Sequence, residues 1–351
     1  MKNAFQKSAV LASVLILASS ILLTACGKNE PSAAAASASN DGKPEVTELR
    51  YQGGAGSVTF PELAEDLGYF GPLKLKYIGN TISGPQDIQA TVTGDLDFGA
   101  AFNGAIIKLI AAHAPIKAVV AKSGVDENTW GGYFVLDGSP IKSARDLIGK
   151  KIAVNTLGGH SEFMIKEYLR RGGLTEDEIG KVTLVVIPPV SSEQALRAGQ
   201  VDVATLNGVL RDKALERGGI YPLFRDIDLF GKFSGDSYVF TEKFIKENPN
   251  TVRIFVEGTA KAIEWERVTP RDEVIARFEK IINIRGRKED ASAVKYWKST
   301  GIAGKGGLIA ESEFQTWIDW LVKDGTLKEG DYQAKDLYTN EFNPYVNETS
   351  K

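Results

Sequence analysis

Gln89-Ala90-x-x-x-Gly94-x-x-Asp97 recurs about 105 residues later as Gln194-Ala195-x-x-x-Gly199-x-x-Asp202. Each copy runs on into a second matching segment, Ala100-Ala101-Phe102-Asn103-Gly104 and Ala204-Thr205-Leu206-Asn207-Gly208, with a slip of one residue. Both read as helix, glycine turn, short strand, then an Asn at the start of the next helix. Any βα unit can produce a glycine turn and an Asn cap, so coincidence is one explanation. The other is two similar α/β lobes, each presenting a strand end and a helix start at one edge. In open α/β sheets that edge is where ligands bind.

Outward from this echo, short apolar strands alternate with amphipathic helices from Val46 on, which argues for an α/β architecture with parallel sheet. Strands are predicted at 48–52, 73–78, 96–99 and 116–121, with helices at 58–68, 85–93 and 104–113 between them. A second set has strands at 151–155, 182–187, 201–204 and 221–225, with helices at 160–171, 192–198 and 207–217. Beyond about Thr241 the pattern is almost wholly helical, and Pro249 and Pro270 stand at helix starts, where proline is tolerated. Trp130, in Asn128-Thr129-Trp130-Gly131-Gly132, and the passage Phe233-Ser234-Gly235-Asp236 sit between the two sets and read as hinges.

Residues 1–25 carry Lys2 and Lys7, then an apolar run from Ala9 to Leu23, then Thr24-Ala25 before Cys26, the only cysteine. A basic start, apolar middle and small residues at the end make a secretory signal, and the run is too short to favour a permanent span. Leu23-x-Ala25-Cys26 resembles the lipobox of bacterial lipoproteins, in which the cysteine is acylated and becomes the new N-terminus. The alternative is an ordinary signal peptide with an incidental cysteine. Residues 26–45 are rich in Ala, Ser and Pro and poor in bulky apolar groups, and read as a flexible tether. The chain as a whole has 42 basic and 45 acidic residues, net charge −3, and loses two lysines with the leader. That balance argues against a nucleic-acid partner.

Helix starts at strand ends are the recurrent candidate feature. Ser83-Gly84-Pro85-Gln86 fits a capping box. Asn103 and Asn207 open helices in the two copies, and Asn155-Thr156-Leu157-Gly158-Gly159-His160-Ser161 opens another. Glycines there let a backbone approach a ligand, and free amides attract an anion. Each is equally explained as a well-capped helix. Gln52-Gly53-Gly54-Ala55-Gly56-Ser57 fails the dinucleotide fingerprint, because Phe60-Pro61 stands where its third glycine belongs. It reads instead as a loop through which Gln52 or a backbone amide near Gly54 touches a ligand. Lys305-Gly306-Gly307 is not a phosphate-binding loop.

The chain has two histidines, His113 and His160, and no paired cysteines, which leaves no zinc motif. His113 before Ala114-Pro115 reads as a helix C-terminal cap, whereas His160 beside the glycine pair is open to ligand contact. Gly235-Asp236-Ser237 is like the nucleophile block of some secreted esterases, but no Gly-x-Ser-x-Gly occurs and both histidines lie far upstream. Trp130 either stacks on a ligand or packs beneath a hinge. Trp317 and Trp320 with Leu321 have the spacing of a helical core stripe.

These residues resemble the extracytoplasmic solute-binding proteins of bacterial ABC importers, in the branch for nitrate, aliphatic sulfonates, taurine and thiamine precursors. The similarity rests on Tyr51-Gln52, Glu65-x-x-Gly68-Tyr69-Phe70, Ser83-Gly84-Pro85-Gln86, Gly94-Asp95-Leu96-Asp97-Phe98-Gly99 and Asp146-Leu147-x-Gly149-Lys150-Lys151-Ile152-Ala153-Val154. It implies a two-lobed type II periplasmic-binding fold with two crossovers and a helical C-terminal part. Lobe 1 would comprise 46–130 and 236–345, and lobe 2 131–235. It implies no enzyme activity, no metal and no cofactor, but a monomer, lipid-anchored through Cys26 outside the cytoplasm, that binds a small organic or inorganic anion and passes it to an ABC permease. An exported sensor with the same fold, or a serine esterase using Ser237, are the alternatives. The expected ligand contacts are Gln52, Gly54, Ser83, Gly84, Phe102, Asn103, Trp130, Thr156, Gly158, Gly159, His160 and Asn207. Phe102-Asn103-Gly104 departs from the acidic residue and prolines frequent in sulfonate-type members, and Asp202-Val203-Ala204 from their Asp-Ala-Trp.

Overall fold

The computed structural model describes residues 42–348 apart from Ile82. The signal segment, Cys26 and the tether as far as residue 41 lie outside the described residues. Among the described residues no helix is long and apolar enough to cross a membrane.

Ten strands form three sheets in this region. β1 (Glu48–Gly53) pairs in parallel with β2 (Lys74–Asn80). β3 (Gly99–Phe102) and β4 (Ile116–Val125) flank β10 (Phe233–Thr241), both antiparallel to it. The third sheet has the order β7-β6-β8-β5-β9. Its members are β5 (Gly131–Leu136), β6 (Lys151–Val154), β7 (Thr183–Val186), β8 (Val203–Asn207) and β9 (Ile220–Arg225). β6 is parallel to β7 and β8, while β5 runs antiparallel to β8 and β9. The first sheet is parallel, the second antiparallel and the third mixed, so parallel pairing is only part of the βα alternation's outcome. The chain passes into the third sheet between β4 and β5 and returns between β9 and β10.

Two strands escaped the sequence reading. β5 and the first half of β10 look like glycine-rich hinge passages, yet Phe233 and Ser234 pair with Val125 and Gly124, and the ladder continues past a register shift between Ser234 and Asp236. β3 begins at Gly99 rather than Leu96, because residues 95–98 are spent turning back from the preceding helix.

The echo has a structural cause. Helix α2 (Gly84–Thr93) ends on Gly94 at φ 83°, and helix Pro189–Arg197 is followed by Gly199 at φ 68°, a conformation glycine adopts without strain. The Asp that follows clamps the neighbouring strand in both copies. Asp97 N–H donates to Arg50 O at 3.0 Å and its carboxylate accepts Arg50 N–H at 2.6 Å. Asp202 N–H donates to Lys151 O and its carboxylate accepts Lys151 N–H, both at 2.9 Å.

Helix α1 (Phe60–Asp66) starts with a genuine capping box between Thr59 and Glu62. Helix α3 (Asn103–Ala111) closes through His113 at φ 67°, with its N–H on Ile110 O. His113 thus sits in the C-terminal turn where it was read. Helix α4 (His160–Arg171) packs on the C-terminal helix Ser312–Lys323. Phe163 stacks on Trp320 at 4.3 Å, Phe102 meets Trp317 edge-on at 4.6 Å, and Trp320 Nε1 donates to Glu167 at 3.2 Å. The tryptophan stripe is core, as its spacing indicated. A second core lies under β1 and β10, where Phe98 is surrounded by Tyr51, Tyr238, Phe240 and Phe255.

Candidate functional site

A cavity of about 520 Å³ opens where the strand ends and helix starts of the three sheets converge. Its wall begins at β1. A register shift between Tyr51 and Gln52 bulges the strand, and Gln52 with the Gly53–Gly54 loop lines the space. A strap from the C-terminal part holds that loop. Gly56 N–H reaches the Glu289 carboxylate, and Arg287 donates to Tyr51 Oη at 2.6 Å while pairing with Glu62 at 2.8 Å. Burial against Glu62 pushes the Tyr51 phenol far above its ordinary range, so it stays neutral.

The N-terminus of α2 forms the second wall. A Cβ on Gly84 would lie 2.7 Å from Ala101 Cα, so only glycine lets the helix start sit directly on β3. The capping box expected at Ser83 and Gln86 does not form. Ser83 has N-cap geometry but no side-chain cap bond, and its Oγ is buried without a partner. One turn on, Asp87 is 6% exposed, lines the same cavity and also leaves its Oδ1 unpartnered. Ser83 and Asp87 are joined across the helix start, where the Asp87 N–H donates to Ser83 O at 3.1 Å. Burial lifts the Asp87 carboxyl to about 6, with Lys122 acting against the rise.

From the third sheet come Thr156, Gly159, His160 and Asn207, with Trp130 at the crossover and Phe102 opposite. His160 meets Phe102 edge-on at 5.1 Å, and its Nε2, 3.6 Å from Asp226 Oδ2, has no hydrogen-bond partner. Asp226 accepts Gly131 N–H at 2.8 Å, and burial raises its carboxyl while His160 opposes the rise. Trp130 is packed at the crossover and also borders the cavity. One ring contact is the Arg211 guanidinium at 4.2 Å, which also bonds the Trp130 and Asn128 carbonyls, yet the side chain still lines the cavity.

Two expected contacts are corrected. Asn103 is fully buried and faces away from the space, since α3 starts with Phe102 as cap and Asn103 inside the first turn. Its Nδ2 donates to Ser234 O and Glu313 O, both at 3.3 Å, and its Oδ1 accepts the Ser237 hydroxyl at 2.8 Å. That bond also removes the esterase reading, because the Ser237 hydroxyl is buried against an amide and not against a histidine. Gly158 is likewise outside the lining, its N–H committed to the Glu162 carboxylate at 2.8 Å.

The charged lining was not legible as such. Asp87, Lys122, Asp226 and Asp236 all border the cavity. Asp236 accepts the Ser123 hydroxyl at 2.5 Å and lies 3.9 Å from Lys122 Nζ. Only Asp87 carried a usable signal, as the residue one helical turn after Ser83. Among the described residues no group of three or more His, Cys, Asp or Glu could hold a metal ion.

The periplasmic aliphatic sulphonate binding protein SsuA from Escherichia coli superposes with a TM-score of 0.60 at 21% identity, over 81% of this chain and 89% of that one. The periplasmic nitrate-binding protein NrtA from Synechocystis PCC 6803 gives 0.66 at 13% identity, over 85% and 88%. These likenesses establish the periplasmic-binding-protein fold. In sequence, a Brucella abortus protein with the provisional name of a binding protein is 25% identical over 272 residues, 73% of this chain and 80% of its own length. The model of one family, described as NMT1/THI5 like, matches residues 59–273, more than half of the chain. With its fold and its sequence in agreement, the protein belongs to the NMT1/THI5-like family.

Proposed function

We propose that this protein is the extracytoplasmic solute receptor of an ABC importer, with the cavity as its binding site. The observation that carries the reading is a 520 Å³ space whose lining residues include three with a buried polar atom that has no hydrogen-bond partner, Ser83 Oγ, Asp87 Oδ1 and His160 Nε2. A buried polar atom left unpaired costs stability, so three around one cavity are best explained by a solute that pairs them. Residues 46–130 with 236–345 act as one lobe and 131–235 as the other. The solute favours their closed arrangement by binding it better than the open one.

The sulphonate and nitrate binding of the structural relatives supports a small solute with an acidic group. Lys122 and His160 are the groups here that would receive it. Cys26, acylated at the lipobox, would anchor the receptor to the membrane beside its permease.

The test is thermal unfolding of the mature chain against small sulfonates, nitrate, carboxylates, amino compounds and thiamine precursors. A solute at about 100 times its dissociation constant adds ~2.7 kcal/mol. A saturable rise in midpoint, with uptake of the same solute lost in cells lacking the protein, supports the reading. No rise with any solute class overturns it.

A further inference from the structure

We propose that Asp87 makes this receptor selective for solutes bearing a nitrogen-centred hydrogen-bond donor, an amino or amidino group, over oxyanions that lack one. The inference rests on the cavity being the solute site and names what one wall of it reads.

Asp87 differs from the other carboxylates that border the cavity. Asp226 is held by the Gly131 and Ile227 amides, and Asp236 by the Ser123 hydroxyl with Lys122 beside it. Asp87 is 94% buried; the Thr81 hydroxyl and the Ala100 amide bear on its carboxylate, and its Oδ1 has no donor. An ionised carboxylate can only accept hydrogen bonds, so the group that completes Asp87 must donate one. The surrounding charge agrees. Three aspartates border the space against Lys122 and His160, and Lys122 is already shared with Asp236. A bare oxyanion placed against Asp87 would add a like charge and leave Oδ1 unpaired. An N–H donor would pair it, and a protonated amine would also offset its charge.

Ser83 Oγ, at the cap of the same helix, can either donate or accept. It therefore serves the part of the solute adjoining the nitrogen, while Lys122 and His160 are left for an acidic end.

The experiment uses pairs of solutes that differ by one amino group: ethanesulfonate with 2-aminoethanesulfonate, propionate with 3-aminopropionate, pyrimidine with 4-aminopyrimidine. Binding to the mature chain is measured by calorimetry for the parent and for Asp87→Asn, with Asp87→Ser as a second variant should the amide fail to fold. The amino member of at least one pair is expected to bind tighter, with a preference of roughly 10- to 100-fold, the range of a charge-assisted bond. That preference should collapse in the variant while amine-free anions bind as well or better. Equal or tighter binding of the amine-free members, unaltered by Asp87→Asn, overturns the inference and leaves the receptor reading standing. No binding by any member of the pairs, together with no stabilisation across the wider solute panel, overturns both.

Discussion

Replacing Asp87 by Asn should make the unliganded protein more stable at neutral pH. The carboxyl is 6% exposed, and burial raises it from an ordinary 3.8 to about 6, with Lys122, the Thr81 hydroxyl and the Ala100 amide acting in the other direction. The unfolded chain releases this proton near 3.8, whereas the fold holds it to about 6. Between those values the native state binds more protons, so this group's contribution falls as pH rises through the window and levels off above it. At about 1.4 kcal/mol per tenfold change in proton affinity, ionising Asp87 inside the fold costs ~3 kcal/mol. The amide keeps the shape without the charge. Asp87→Asn should therefore gain about 1–3 kcal/mol at pH 7.5, the lower end allowing for relaxation around the site. At ~2 cal/mol/K per residue over roughly 300 residues, that is about 2–5 °C in midpoint. The assay is urea and thermal unfolding of both proteins at pH 4, 5, 6 and 7.5. Taking the difference between them cancels other groups, among them Glu266, which burial lifts to about 7. A gain that vanishes near pH 4 supports the reasoning. A variant no more stable than the parent at pH 7.5, or a difference flat across the series, refutes it. Such a cost at a binding wall is the familiar trade of stability for function.

Three further outcomes follow from the same geometry. Asn103→Ala strands the Ser234 and Glu313 carbonyls and the Ser237 hydroxyl in the core; it should lose about 2–4 kcal/mol in urea unfolding, while solute affinity of the folded fraction stays within about twofold. Ser83→Ala removes a buried hydroxyl with no partner, so unliganded stability should rise by about 1 kcal/mol and calorimetry should show affinity several-fold weaker. Gly84→Ala puts a methyl 2.7 Å from Ala101; pushing α2 off β3 should cost about 1–3 kcal/mol and weaken binding together with stability, so that a variant normal in both would sink the argument for close approach.

Much of this protein is legible in local pattern. The alternation of apolar strands and amphipathic helices, the paired glycine turns at Gly94 and Gly199, the C-terminal tryptophan stripe and the αL cap at His113 are set by neighbours within a turn or two. Periodicity and backbone freedom report such features directly. The edge at which helix starts gather around the cavity was likewise readable, since it follows from βα handedness. Strands β5 and β10 were not, because their glycines and small polar residues become strand only when β4, β8 and β9 supply the ladder. Asn103 and Asp87 make the same point about the site. Both sit near helix starts beside the same sheet, and nothing local distinguishes the one whose amide is consumed by Ser234, Ser237 and Glu313 from the one whose carboxylate keeps an oxygen without a donor. Those partners are more than 130 residues from Asn103 in the chain. Which polar group is satisfied and which is left for a ligand is a property of packing between distant segments, and only the tertiary structure decides it.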